Sequence, residues 1–194
     1  DTMSEGRDVD FDEEILRPVL ESGASLCQLV SHEWERVDGA LITAALRMNR
    51  TFYKWSGALR LQRWNNTTSQ FDVVDEMMPV ELMEWFRELE ESALLLMEDG
   101  HLLLDSNNTE RAFIIWWLRE MARMPKHQQK CLVFGSVHPT VPVELDKEMP
   151  LLHLSLPRRE TLGIIFDHVV SESNLQPHQI EKNEALLDAA LGLT

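Results

Sequence analysis

The chain has 194 residues, 44% of them hydrophobic, enough to bury one sizeable core or one core with a small appendage. Its 18 basic residues face 33 acidic ones, for a formal net charge of −15, so nucleic acid and anionic membranes repel it and a protein is the expected partner. Cys27 and Cys131 are the only cysteines, too few for a disulfide framework, which points to a reducing compartment. No segment approaches the roughly 18 apolar residues of a membrane span.

In chain order, residues 1–20 read as an acidic amino-terminal segment, ahead of a core expected over residues 21–156. Ser25 to Val30, preceded by Gly23, is a short apolar run that predicts a buried strand. The helical spacing of Trp34, Val37, Leu41, Ala44, Ala45 and Met48 predicts a helix after it. Thr51 to Ser56 supplies aromatic and β-branched residues for a second strand, and the polar stretch WNNTTSQ after it reads as a loop. Pro79 sits where a first-turn proline belongs and opens a helix that leads into a strand over Ala93 to Met97. Asp105 or Asn107 is expected to cap the next helix, residues 109–124, before QKCLVFGS forms a fourth strand ending near Ser136. Leu151 to Leu156 reads as a fifth. Strands that alternate with helices, each apolar without a period of two, indicate a three-layer α/β domain with a mostly parallel sheet covered on both faces. Residues 157–194 are predicted to be helical, the start of a lid. Its apolar set, Ile180, Leu186, Leu187, Ala190, Leu191 and Leu193, is expected to lean on the core or on a neighbour.

Sheets of this kind bind ligands at the carboxyl ends of their strands. The run ALLLMEDGHLLLD, from Ala93 to Asp105, ends a strand in two acids, as metal-holding strands of nucleotide hydrolases do. Asp99 is the candidate metal-holding carboxylate, Glu98 is expected to point to the opposite face of the strand, and Gly100 stands where a water-activating glutamate belongs. The phosphate loop G-x-x-x-x-G-K-[ST] is absent. In its place VSHEWERVDG offers three acids where a triphosphate needs amides and a lysine. The seven histidines include no pair at helical i, i+4 spacing, so no metal site is expected, and His101 with Asp105 near Asp99 reads as a solvated turn. No residue has the setting of a catalytic nucleophile. Trp116 and Trp117 lie on a helix with an unusually wide apolar face. Adjacent residues point about 100° apart there, so one of the pair is free to reach a partner. Arg158 and Arg159, at a helix start whose dipole disfavours them, are further candidates for an acidic partner.

The segment KCLVFGSVHPTVPVELDKEMPLLHLSLPRRETLGIIFDHVV resembles the second half of an AAA ATPase core, in which a sensor strand is followed by a proline, a short helix, a last strand and a leucine-proline opening of the lid. The chain from about Leu20 to Thr194, through SLCQLVSHEWERVDGAL, TFYKWSGALRLQRW, ALLLMEDGHLLLD and LSLPRRETL, resembles the amino-terminal domain of a plastid and cyanobacterial AAA ATPase family. In that family a degenerate AAA-like domain precedes an active one. The resemblance implies a degenerate P-loop NTPase fold, with Asp99 at a degenerate Walker B-like position and Val137 at a degenerate sensor-1-like position, ahead of His138 and Pro139. The arginine-finger region reads VELDKEM, without arginine. An arginine finger alone is worth about 10³ to 10⁵ in rate, so hydrolysis by this chain alone is not expected. It implies no cofactor for this chain, with ATP and magnesium reserved for a downstream AAA domain. The expected partners are that domain, other subunits and client proteins, in the cytoplasm or plastid stroma. The expected function is non-catalytic assembly or partner binding. The alternative is a nucleotide-binding or weakly hydrolytic domain that uses Asp99 and a non-standard phosphate site.

Overall fold

A strand whose residues are apolar on both sides must be covered on both sides, and the computed structural model, which describes residues 15–154, arranges five strands in parallel, the first four of them buried along their length. They are β1 (Leu26–Val30), β2 (Thr51–Ser56), β5 (Ala93–Met97), β6 (Cys131–Ser136) and β7 (Leu151–His153). Two antiparallel strands, β3 (Arg60–Asn65) and β4 (Gln70–Asp75), extend the sheet, whose order is β4-β3-β2-β5-β6-β1-β7. The parallel register runs Leu94 to Cys131, Leu26 to Leu132 and Gln28 to Leu151.

The two faces carry separate cores. On one, residues 15–21 (α1) and Trp34–Arg47 (α2) bury Leu16, Leu20, Val37, Leu41 and Ala44 against Phe52, Leu94, Leu96 and Val133. On the other, Pro79–Glu88 (α3) and Arg111–Ala122 (α5) bury Leu82, Phe86, Ile114, Leu118 and Met121 against Tyr53, Leu95, Leu132 and Phe134. Leu94 and Leu96 face one way and Leu95 and Met97 the other, which is why β5 shows no period of two. The described residues fall within one compact unit, Phe11–Leu154.

The expected strands and helices of the described region are present, with three differences. The loop read from WNNTTSQ is the turn of the β3–β4 hairpin. Asn65 Oδ1 accepts the backbone N–H groups of Thr67 and Thr68, and Trp64 and Phe71 pack edge to face at 5.1 Å. A bulge leaves Val74 unpaired, because Leu61 pairs with Asp75 and Gln62 with Val73. The hairpin escaped detection because Arg60, Gln62, Gln70 and Asp72 interrupt its apolar residues. A short helix, Gly100–Leu103 (α4), precedes α5. The third difference concerns the cap of α5. Its N-cap is Glu110, without a side-chain cap, while Asp105 closes a turn by accepting the Asn107 N–H at 2.8 Å. Pro79 does open α3, and the Lys130 ammonium closes it by donating to the Phe86, Arg87 and Leu89 carbonyls at 3.1, 2.7 and 2.8 Å. The core reaches further toward the amino terminus than residue 21, since Leu16 and Leu20 of α1 are fully buried. The lid, its apolar tail and Arg158 and Arg159 lie outside the described residues.

Candidate functional site

Three strand ends meet at the carboxyl edge of the sheet. After β1 the chain has three residues before α2 begins at Trp34. The Ser31 N–H donates to the Ser136 carbonyl at 3.0 Å, and the Glu33 N–H donates to Ser31 Oγ at 3.0 Å. A phosphate cradle needs consecutive amides free to point at the anion, and two are committed here. The Trp34 indole lies against Gly135 of β6, so closely that a Cβ there would stand 2.8 Å from the ring. Glu33 carries an ion pair to Arg36.

At the end of β5, Glu98 continues the Leu94–Leu96 row onto the α2 face, as the alternation of the strand requires. There the Lys54 ammonium of β2 lies 2.9 Å from Glu98 Oε1 and 2.6 Å from Asp38 Oδ2 of α2. Lys54 and Glu98 side chains are each 11% exposed and Asp38 17%. Lys54 also stands 5.3 Å from the Phe71 ring centroid. Two carboxylates thus share one cation, and Asp38 Oδ1 is buried without a hydrogen-bond partner. Burial raises the Asp38 pKa, Lys54 offsets part of that, and Glu35 adds to it. Burial likewise raises Glu98, against the pull of Lys54 and with repulsion from Asp38 and Asp99. Burial disfavours the Lys54 ammonium, but hydrogen bonds and attraction from both carboxylates outweigh it and its pKa ends above the usual lysine value.

Asp99 is exposed and left-handed, with φ 53°. It forms the turn into α4, where its carbonyl accepts the Leu102 N–H at 2.9 Å. Gly100 is pressed under Phe134, and a Cβ would meet that ring at 2.4 Å, so a glutamate there would displace the core. At the end of β6, Val137 is half-buried. The polar group of that strand end is Ser136, whose Oγ accepts from Gln28 Nε2 at 2.9 Å. Gln28 Nε2 also reaches Thr140 Oγ1 at 2.6 Å, and Gln28 Oε1 accepts the Thr140 N–H at 3.1 Å. Gln28 and Ser136 are fully buried. This network pins the segment after β6 to β1. His101 and His138 meet edge to face with centroids 5.1 Å apart, and His101 Nδ1 is buried and unpartnered. Among the described residues no group of three or more His, Cys, Asp or Glu side chains is placed to hold a metal.

The structure therefore brings Asp99 and Val137 to one edge, and separates both from Trp116 and Trp117 on α5. Trp116 is 59% exposed and packs edge to face on Phe113 at 5.3 Å, while Trp117 is half-buried against the core. Sequence reasoning missed Lys54, Asp38 and Gln28. The available signal was a lysine inside TFYKWS and a glutamine inside LCQLV, since a polar residue in a strand buried on both faces needs a partner.

Comparison with known proteins agrees with the mostly parallel α/β fold. A relative, the uncharacterized AAA domain-containing protein ycf46 of Guillardia theta, is 24% identical over 145 residues, 74% of this chain and 27% of that protein. This chain therefore spans about a quarter of its length. The solved structure of the replication initiator DnaA bound to AMPPCP and single-stranded DNA is similar with a TM-score of 0.52 and 14% identity, over 99% of this chain and 58% of that one. At that identity the likeness is one of fold, the AAA-type P-loop NTPase fold. The family described as SpoVK-like AAA ATPase, N-terminal domain, matches residues 11–154. With a match over most of its length, and a mostly parallel α/β sheet of the AAA kind, the chain belongs to the SpoVK-like AAA ATPase N-terminal domain family.

Proposed function

We propose that this chain is a non-catalytic AAA-like domain of a longer AAA ATPase, serving assembly or the binding of protein partners. The observation that carries the reading is the carboxyl edge itself. Where a nucleotide's phosphates would lie, Trp34 covers Gly135 and the turn before it is acidic. Beside Asp99, where a metal would be held, Lys54 already pairs with Glu98 and Asp38. An internal ammonium between two carboxylates offsets part of the charge that would attract magnesium. In this reading ATP and magnesium belong to a downstream AAA domain, and that domain, other subunits and client proteins are the partners. The setting is the cytoplasm or plastid stroma.

The test is thermal. Millimolar ATP with magnesium is expected to leave the melting temperature of the chain unchanged, whereas a ligand at 100 times its dissociation constant would add about 2.7 kcal/mol. A reproducible rise that vanishes in Asp99→Ala would overturn the reading in favour of a nucleotide-binding domain with a non-standard phosphate site.

A further inference from the structure

We infer that a small oxyanion, a phosphate or carboxylate group, binds at the amino ends of the strands, in a cleft that Arg50 and Lys126 share. The cleft measures about 500 Å³ and is lined by Leu20, Ser22, Gly23, Arg50, Lys126 and Gln129, from the end of α1, the end of α2 and the turn ahead of β6. Gly23, Arg50 and Gln129 each come shortly before a parallel strand, β1, β2 and β6, so the cleft lies at the edge opposite Asp99 and Val137. The inference goes beyond the non-catalytic reading and does not depend on it. Arg50 is half-buried, with one N–H of its guanidinium reaching the Leu20 carbonyl at 3.5 Å and its Nε buried without an acceptor. Lys126 Nζ reaches the Ser22 carbonyl at 3.3 Å. In a chain of net charge −15, neither cation has an ion pair among the described residues.

Both side chains cap carbonyls at the end of α1, which offsets the negative end of that helix. Capping leaves most of their donors idle. A guanidinium has five N–H groups and an ammonium three, and one of each is engaged with those carbonyls. Burial lowers the Arg50 pKa, and the attraction that opposes this comes from Cys131 and from no carboxylate. An oxyanion in the cleft would provide the missing counter-charge through charge-assisted hydrogen bonds. Gly23 places the lysine for this, because its φ of 76° and its missing side chain let the Lys126 stem lie across it. A Cβ there would stand 3.2 Å from Lys126 Cδ. Backbone amides add little, since the Ser22, Gly23 and Ala24 N–H groups already donate to the Pro18, Leu20 and Val19 carbonyls. Glu21 is the one carboxylate of the lining, and it is exposed. Two partly exposed charge contacts hold a small ion with a dissociation constant on the order of 1 to 10 mM.

NMR titration of the full chain with sodium phosphate, against sodium chloride at matched ionic strength, tests the site. Amide shifts should approach saturation by about 50 mM phosphate and gather at the residues that line the cleft. Lys126 is exposed, so Lys126→Met should keep the wild-type melting temperature in chloride and weaken phosphate binding at least about fivefold. Arg50→Met should abolish binding. Asp99→Ala, at the opposite edge, should leave it unchanged, which separates this site from any nucleotide site and lets the two readings fail independently. Sodium acetate distinguishes the sources of the anion. Shifts with both salts assign the cleft to any oxyanion, an acidic side chain of a partner protein included, whereas shifts with phosphate alone assign it to a phosphoryl group and with acetate alone to a carboxylate. The inference is overturned if neither salt moves these resonances more than chloride does, if Lys126→Met binds phosphate as the wild type does, or if the shifts gather around Asp99 and Val137.

Discussion

Lys54 holds together two acids that water no longer solvates. Removing one partner of a buried ion pair typically costs about 3 to 5 kcal/mol, because the remaining charge is left uncompensated. Lys54→Met is expected to lose stability in that range by urea unfolding, and Glu98→Gln far less, since it leaves Lys54 paired with Asp38 at 2.6 Å. The pH dependence follows from the same cluster. Asp38 and Glu98 have folded-state pKa values above their unfolded ones, so their contribution is fully present below the unfolded values, near pH 4, and is lost as pH rises through the folded ones. The difference in stability between wild type and Glu98→Gln should therefore shift toward the variant as pH rises above about 4. A difference that is flat with pH would show that Glu98 is not held out of its ordinary range. Lys54 acts at the other end. Its raised pKa stabilises the fold below the ordinary lysine range, and that contribution disappears only above its folded value.

At the scale of elements, α5 divides its tryptophans by geometry. Trp117 packs on the core with Ile114, Leu118 and Met121, whereas Trp116 stands outward beside Phe113. Trp117→Ala is expected to cost about 3 kcal/mol, and Trp116→Ala to stay within about 0.5 kcal/mol of wild type. Equal losses in urea unfolding would place both side chains in the core. α3 depends on a residue 42 positions from its end. Lys130 is buried, 3% exposed, and its ammonium satisfies three carbonyls at the α3 terminus. Burial, with Arg87 nearby, lowers its pKa. Lys130→Met keeps the apolar stem and removes the donors, so the loss of about 1 to 3 kcal/mol expected for stranded acceptors should come with faster hydrogen exchange at Arg87 to Leu89.

For the whole molecule, the net charge of −15 sets a salt effect on stability. Screening relieves self-repulsion within the compact state, so the melting temperature should rise between about 10 mM and 300 mM salt. A melting temperature flat with salt would show that charge is not the governing term.

The sequence by itself determined the order of buried strands and helices, because runs such as Leu26 to Val30, Ala93 to Met97 and Cys131 to Ser136 are apolar on both faces and admit only a covered, mostly parallel sheet. It also showed that the glycine-lysine phosphate loop is missing, and it placed Glu98 across the strand from the core side of Leu95 and Met97, since the alternation of a strand needs no tertiary information. Only the tertiary structure decided what Glu98 meets there. Lys54, Asp38 and Glu98 come from β2, α2 and the end of β5, up to 60 residues apart, and no local period encodes that meeting. The β3–β4 hairpin was likewise hidden, because an edge with one solvated side tolerates Arg60, Gln62 and Asp72 and so loses the apolar pattern by which strands are read. Which tryptophan faces outward was decided by the packing of α5 on β1 and α3, for a helix apolar around most of its circumference leaves its buried side to its neighbours.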